Sequence, residues 1–185
     1  MNENQLRDFA QNAQRLIDQD AVEDRLRHYL SAHLSEIFPD HPWWLEAHLQ
    51  GTEEHVRFAG NSGDRTGFVD AVVGKTAIEY EKNLTIQGIF NEGYHQVEEY
   101  CAALCNAGVP ENEVLGVLSD TVRWYGYKVR IVSENTENRL LGPDDVELEQ
   151  VCFVDLSVDR HEEFMKFDTF INRFLARDGS RLLNA

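Results

Sequence analysis

The sequence predicts a mixed α/β fold of the α+β kind, a central sheet flanked by helices. Three observations carry that expectation. Apolar residues recur at helical spacing in four segments, they form short runs bounded by turn residues in six others, and the two patterns interleave along the chain. The 185 residues suit a single domain over 1–185, and 42% apolar content with ten phenylalanines is enough for a real core and too much for a disordered chain.

Residues 3–18 set Leu6, Phe9, Ala10, Ala13, Leu16 and Ile17 on a helical period. Residues 21–37 do the same with Val22, Leu26, Tyr29, Leu30, Leu34 and Ile37. "FPDHPWW" (38–44) stops the helix, because the residue before each proline is driven out of the helical region. "EEHVRFA" (53–59) predicts a strand and "GNSGDRTG" (60–67) a loop of turn residues. Strands are expected over 67–73 and 76–82, joined at Gly74-Lys75 in the manner of a hairpin. Thr85 is placed to cap a helix running to about Asn106, and Gly108 suits its left-handed stop. Three more strands (114–120, 122–132 and 149–157) precede a last helix over 159–176. The expected order is α-α-β-β-β-α-β-β-β-α, with no internal repeat and no low-complexity tract.

Charge limits the function. Thirty-three acidic residues against 17 basic give a formal net charge of −16. A protein that grips nucleic acid through phosphate contacts alone is basic, so this balance argues against tight autonomous DNA binding, though not against a domain delivered to DNA by another domain or subunit. No apolar stretch approaches a membrane span and the start lacks a signal-peptide pattern, so the expectation is a cytoplasmic protein with no membrane partner. Cys101, Cys105 and Cys152 complete no metal motif and are expected as small apolar residues of a reducing compartment. GxxxxGK[ST], GxGxxG and GxSxG are absent, and Ser180 lies in a terminal tail.

The chemistry concentrates in "GFVDAVVGKTAIEYEKNL" (67–84). Side chains alternate along a strand, so Glu79 and Glu81 project to one side and Ile78, Tyr80 and Lys82 to the other. Asp70, on the preceding strand, would face Glu79 across the ladder. Three converging carboxylates repel one another, and a divalent cation converts that cost into binding. Mg²⁺ and Mn²⁺ prefer such oxygen ligands. The bland alternative is a solvated polar sheet face.

Asp70 sits in "GFVD", Glu79 nine residues on in "AIEYEK", and Gln96 and Tyr100 form Q-x-x-x-Y on one face of the next helix. On these motifs the chain resembles the PD-(D/E)xK nuclease superfamily over residues 20 to 132, particularly the RecB-type branch with its QxxxY helix. The resemblance implies a restriction-endonuclease-like central mixed sheet. It implies Asp70 and Glu79 as metal ligands, Gln96 and Tyr100 as residues that orient the phosphate backbone or a metal-bound water, and an acidic helix residue, here Glu23, completing the site. It further implies a Mg²⁺- or Mn²⁺-dependent DNA endonuclease domain, similar to those at the N-terminus of restriction–modification polypeptides. The ending "RDGSRLLNA", with no closing element after the last helix, fits a fragment of a longer protein.

One departure matters. The family pattern wants lysine where this chain has Glu81, and Lys82 stands next door on the wrong face of a regular strand. Three accounts stay open. Glu81 serves as a further ligand or general base, a β-bulge rotates Lys82 into the site, or the site has lost its chemistry. In the last case the chain is a catalytically silent module that binds a protein partner.

Other residues have bland readings. "HPWW" is a core-edge cover rather than a base-stacking wedge, and Trp124, Tyr125 and Tyr127 are strand packing, with Gly126 marking a bulge or close approach. His95 is expected on the helix surface, and Arg65 and Lys75 as exposed turn residues.

Overall fold

A computed structural model describes residues 1–39, 54–60, 63–133 and 139–175. Two helices, α1 (Glu3–Asp18) and α2 (Glu23–Ile37), lead into a two-stranded antiparallel ladder of β1 (Glu54–Gly60) and β2 (Gly63–Val69). Then come β3 (Ala71–Val73), β4 (Thr76–Tyr80), the long helix α3 (Gln87–Asn106), β5 (Leu115–Ser119), β6 (Arg123–Ile131), β7 (Val146–Asp155) and α4 (His161–Phe174). The last five strands form one mixed sheet in the order β3-β4-β5-β6-β7, in which β4 and β5 are parallel and the other neighbours antiparallel. The fold is therefore mixed α/β, with helices on both faces of a five-stranded sheet. No described helix is long and apolar enough to cross a membrane.

Strand alternation divides the interior into two layers. Ile78 and Tyr80 of β4, Val117 of β5 and Trp124 of β6 face a core built with α1, α2 and α4 through Leu6, Phe9, Leu30, Phe164, Phe167 and Phe170. Ala77, Leu118, Tyr127 and Val129 face the other way, onto Val97, Tyr100 and Cys101 of α3. Helix α3 approaches β5 closely because Gly116 has no side chain: a Cβ there would lie 2.6 Å from Val97 Cγ1. In β7 the inward parity reverses along the strand. Val146 and Leu148 belong to the α3 layer, whereas Val154 belongs to the other. The cause is a bulge, since Gly126 pairs with Cys152 but Tyr127 pairs with Gln150, leaving Val151 extra. Phe174 packs over Gly126 at this point, so both features expected of that glycine are present.

The structure corrects several expectations. The predicted loop over 60–67 contributes most of β2, which pairs residue for residue with β1 from Glu54↔Val69 to Gly60↔Gly63. Turn-forming residues there outnumber strand formers, yet cross-strand pairing overrides so weak a local preference. The single strand expected over 67–73 breaks at Asp70, a bend that separates β2 from β3. Helix α3 starts later than predicted, with Ile86 at its N-cap and no side-chain cap. Thr85 instead bonds backward, its hydroxyl and N–H both donating to Asn83 Oδ1. Gly108 holds a positive φ of 91° after the helix, as expected for its stop. "HPWW" and Ser180 lie outside the described residues.

Candidate metal centre

The site is assembled where β4 ends. The hairpin turn at Gly74, with φ of 63°, lets β3 fold back on β4 in the register Ala71↔Ile78. One step further, Asp70 arrives beside the Glu79 position. Its carboxylate is fixed there from two sides. Oδ2 accepts the Tyr80 backbone N–H at 2.9 Å, and Oδ1 accepts Arg27 Nη1 at 2.9 Å. Arg27 Nη2 also donates to the Asp70 carbonyl at 3.2 Å. On α2, Glu23 lies one turn before Arg27, with Oε1 3.6 Å from Arg27 Nη1.

Glu79 is the most unusual group of the set. It is only 5% exposed, and its Oε2 is buried without a hydrogen-bond partner. Such an oxygen costs about 1–3 kcal/mol. Burial, reinforced by the charges of Asp70, Glu23 and Glu81, pushes its carboxyl up to about 10. Glu81 follows just past β4, where its N–H donates to the Ser119 carbonyl at 2.9 Å and prolongs the ladder with β5. Its side chain rests against Gly93 of α3, so close that a Cβ on Gly93 would stand 2.8 Å from Glu81 Cγ. Burial, then repulsion from Glu23, Glu92 and Asp70, raises Glu81 to about 7. Glu23 is likewise raised to about 7, by burial and then by Asp70.

From α3, Tyr100 is buried, and Gln96 stands one turn before it on the same helix. Burial raises its hydroxyl, with Glu79 and then Asp70 adding to the shift. Tyr100 of the Q-x-x-x-Y pair therefore borders the same carboxylates. The structure thus brings Glu23, Asp70, Glu79, Glu81 and Tyr100 into one electrostatic neighbourhood, with Gln96 adjoining it through Tyr100 on α3.

Lys82 is the predicted site residue whose side chain does not join them. No register shift interrupts the β3–β4 or β4–β5 ladders, and Lys82 Nζ lies 3.4 Å from Asp20 Oδ1, at the end of α1. The bulge account of Lys82 therefore has no counterpart in the described ladder. Arg27 is the cation present instead. The sequence pairs Arg27 only with Glu23, four residues before it on one helix face, and carries no sign of its contact with Asp70.

The donor chemistry suits a hard divalent ion, since every candidate ligand is an oxygen and one buried oxygen lacks any partner. Among the described residues, however, no three His, Cys, Asp or Glu side chains stand close enough to hold one ion as placed. Closing such a shell requires a side chain to move. The bland readings of neighbouring residues fit their positions. His95 is half-exposed beside Glu98 and Glu99, Lys75 pairs with Glu113, and Cys101 is buried in the α3 layer. Comparisons with family models, with curated proteins and with solved structures each returned no match.

Proposed function

We propose that this chain is a divalent-metal-dependent nuclease domain that hydrolyses phosphodiester bonds in DNA, delivered to its substrate by other domains or subunits. The supporting observation is the buried Glu79 carboxylate, whose Oε2 lacks a partner, set among Asp70, Glu23 and Glu81 and bordered by Tyr100. Asp70, Glu79 and Glu81 would hold Mg²⁺ or Mn²⁺, with Glu23 contributing from α2. When bound, the ion supplies a polarised phosphate oxygen and a water of lowered pKa. The chain's own residues do the rest. Asp70 is oriented by the Tyr80 N–H. The burial of Glu79 excludes competing water, and the Gln96–Tyr100 pair offers hydrogen bonds to the backbone being cut.

Calorimetric titration with Mn²⁺ tests this without DNA, using Asp70→Ala as the control for nonspecific binding by so acidic a chain. Saturable binding that disappears in Asp70→Ala is expected, together with DNA cleavage that stops in excess chelator. Identical weak heats from both proteins would overturn the proposal.

A second reading has its own observation. Arg27 already neutralises Asp70, as expected if the centre has become a fixed ion-pair network in a module that binds a protein partner and cuts nothing. In that case Asp70→Ala lowers stability and leaves the response to metal unchanged.

A further inference from the structure

Arg27 places its guanidinium where positive charge is needed most. Nη1 is 2.9 Å from Asp70 Oδ1 and 3.6 Å from Glu23 Oε1, while Nη2 reaches the Asp70 carbonyl at 3.2 Å. The pair is largely shielded, with side-chain exposures of 23% for Arg27 and 13% for Asp70. The guanidinium also lies 6.0 Å from the Tyr80 ring, whose backbone N–H holds the other oxygen of Asp70. Glu79 receives no such contact, and its buried Oε2 has no partner. The centre is thus neutralised on the Asp70 side and left unsatisfied on the Glu79 side.

We propose that Arg27 and a divalent cation are alternative occupants of this centre. In the metal-free protein the Arg27 fork clamps Asp70 and offsets the repulsion among the carboxylates. Entry of the ion requires Asp70 Oδ1 to exchange Arg27 for metal, which is the side-chain movement that the open ligand shell calls for. This inference rests on the metal-centre reading above. Once displaced, the guanidinium remains on α2 beside the ion, with planar geometry suited to a phosphate. It would there supply the positive charge that Lys82, paired with Asp20, does not.

The test compares Mn²⁺ affinity in wild-type protein, Arg27→Gln, Arg27→Lys and Asp70→Ala, with melting temperature followed in parallel. Removing a charged competitor from a partly buried pair should tighten Mn²⁺ binding in Arg27→Gln by about tenfold. Arg27→Lys should fall between the two, since it keeps the charge and loses the fork. Metal-free Arg27→Gln should melt below wild type and recover more on adding Mn²⁺. Should Arg27→Gln be too unstable to titrate, the Arg27 side-chain NMR resonances of wild-type protein during Mg²⁺ titration decide. They should move from a bonded to a solvent-like position in step with saturation. Equal or weaker Mn²⁺ binding in Arg27→Gln, or Arg27 resonances unmoved at saturating Mg²⁺, would overturn the exchange while leaving Asp70-dependent binding intact. Absence of Asp70-dependent binding in wild type and Arg27 variants alike would overturn both readings.

Discussion

Asp70 Oδ2 lies 2.9 Å from the backbone nitrogen of Tyr80, a bond that ties the bend between β2 and β3 to the last residue of β4. One carboxylate therefore has two separable duties, holding the bend and presenting a ligand oxygen. Both duties can be tested by substitution.

Asp70→Asn keeps a carbonyl oxygen for the Tyr80 N–H and loses the charge. Asp70→Ala loses both and leaves Arg27 beside an empty position. The alanine variant should be destabilised by about 3 kcal/mol, at the lower end for breaking a shielded charge pair, and the asparagine variant by about half as much. Both should lose Mn²⁺ binding. Urea unfolding and calorimetry on the same samples separate the two effects. An asparagine variant that binds Mn²⁺ like wild type would remove Asp70 from the ligand set.

Glu79 sets a pH dependence whose sign is opposite to that of an ordinary salt-bridged carboxylate. Its folded value of about 10 stands above the ordinary 4.5, so folding takes up a proton throughout that window. Stability is fully present below about pH 4.5 and is lost as pH rises, by at most about 1.4 kcal/mol per pH unit for one proton. Glu23 and Glu81, raised to about 7, act in the same direction between 4.5 and 7. Metal-free protein in chelator should therefore melt higher at pH 5 than at pH 8. Glu79→Gln should flatten that slope and stabilise the pH 8 protein by about 1–3 kcal/mol. A variant as steep as wild type would show that Glu79 is ionised at pH 8. Divalent ions should reverse the trend, releasing protons on binding.

What was legible in the sequence was local. The helical stripes of α1, α2 and α3 lie in chain order, and the carboxylates at 70, 79 and 81 are neighbours along one hairpin, so spacing alone brings them together. Gly126 was legible because a lone glycine in an aromatic strand has few reasons to be there. Arg27 was not, because its partner is 43 residues away and nothing in an exposed-looking helix charge announces a tertiary contact. The first half of β2 was missed for a related reason, since Asp64, Arg65 and Thr66 are extended by pairing with Ala59, Phe58 and Arg57 and not by their own preference.

Asp120 is a further residue that spacing did not reveal, and it is wholly buried at the end of β5. Its oxygens accept the N–H groups of Leu84, Val122 and Arg123 at 3.0, 3.2 and 2.6 Å, and the Arg123 guanidinium at 3.0 Å. It thereby fixes the segment leading from β4 to α3 and the turn into β6, where Thr121 takes a φ of 72°. Asp120→Ala strands those donors and should cost about 3–5 kcal/mol. Chemical denaturation checks this, and a loss under 1 kcal/mol would mean that water replaces the carboxylate.

Gly93 and Gly88 lie on the same helix in opposite surroundings, and together they isolate the position of Glu81. A Cβ at Gly88 meets nothing within 4 Å, so Gly88→Ala should stabilise α3 by about 0.5–1 kcal/mol through helix propensity alone. A Cβ at Gly93 would lie 2.7 Å from Leu118 Cδ1, 2.8 Å from Glu81 Cγ and 3.1 Å from Glu81 Oε1. All three are side-chain atoms rather than backbone, and Leu118 is held in the core, so Glu81 is the residue that must move. Gly93→Ala should forfeit the propensity gain to crowding, for a net loss of about 1 kcal/mol. Its Mn²⁺ affinity should fall severalfold, while Gly88→Ala binds as wild type does. If Gly93→Ala leaves metal affinity unchanged, Glu81 is not a ligand. The positive charge of Glu81→Lys would then be tolerated at the centre, and cleavage by that variant would be the next quantity to measure.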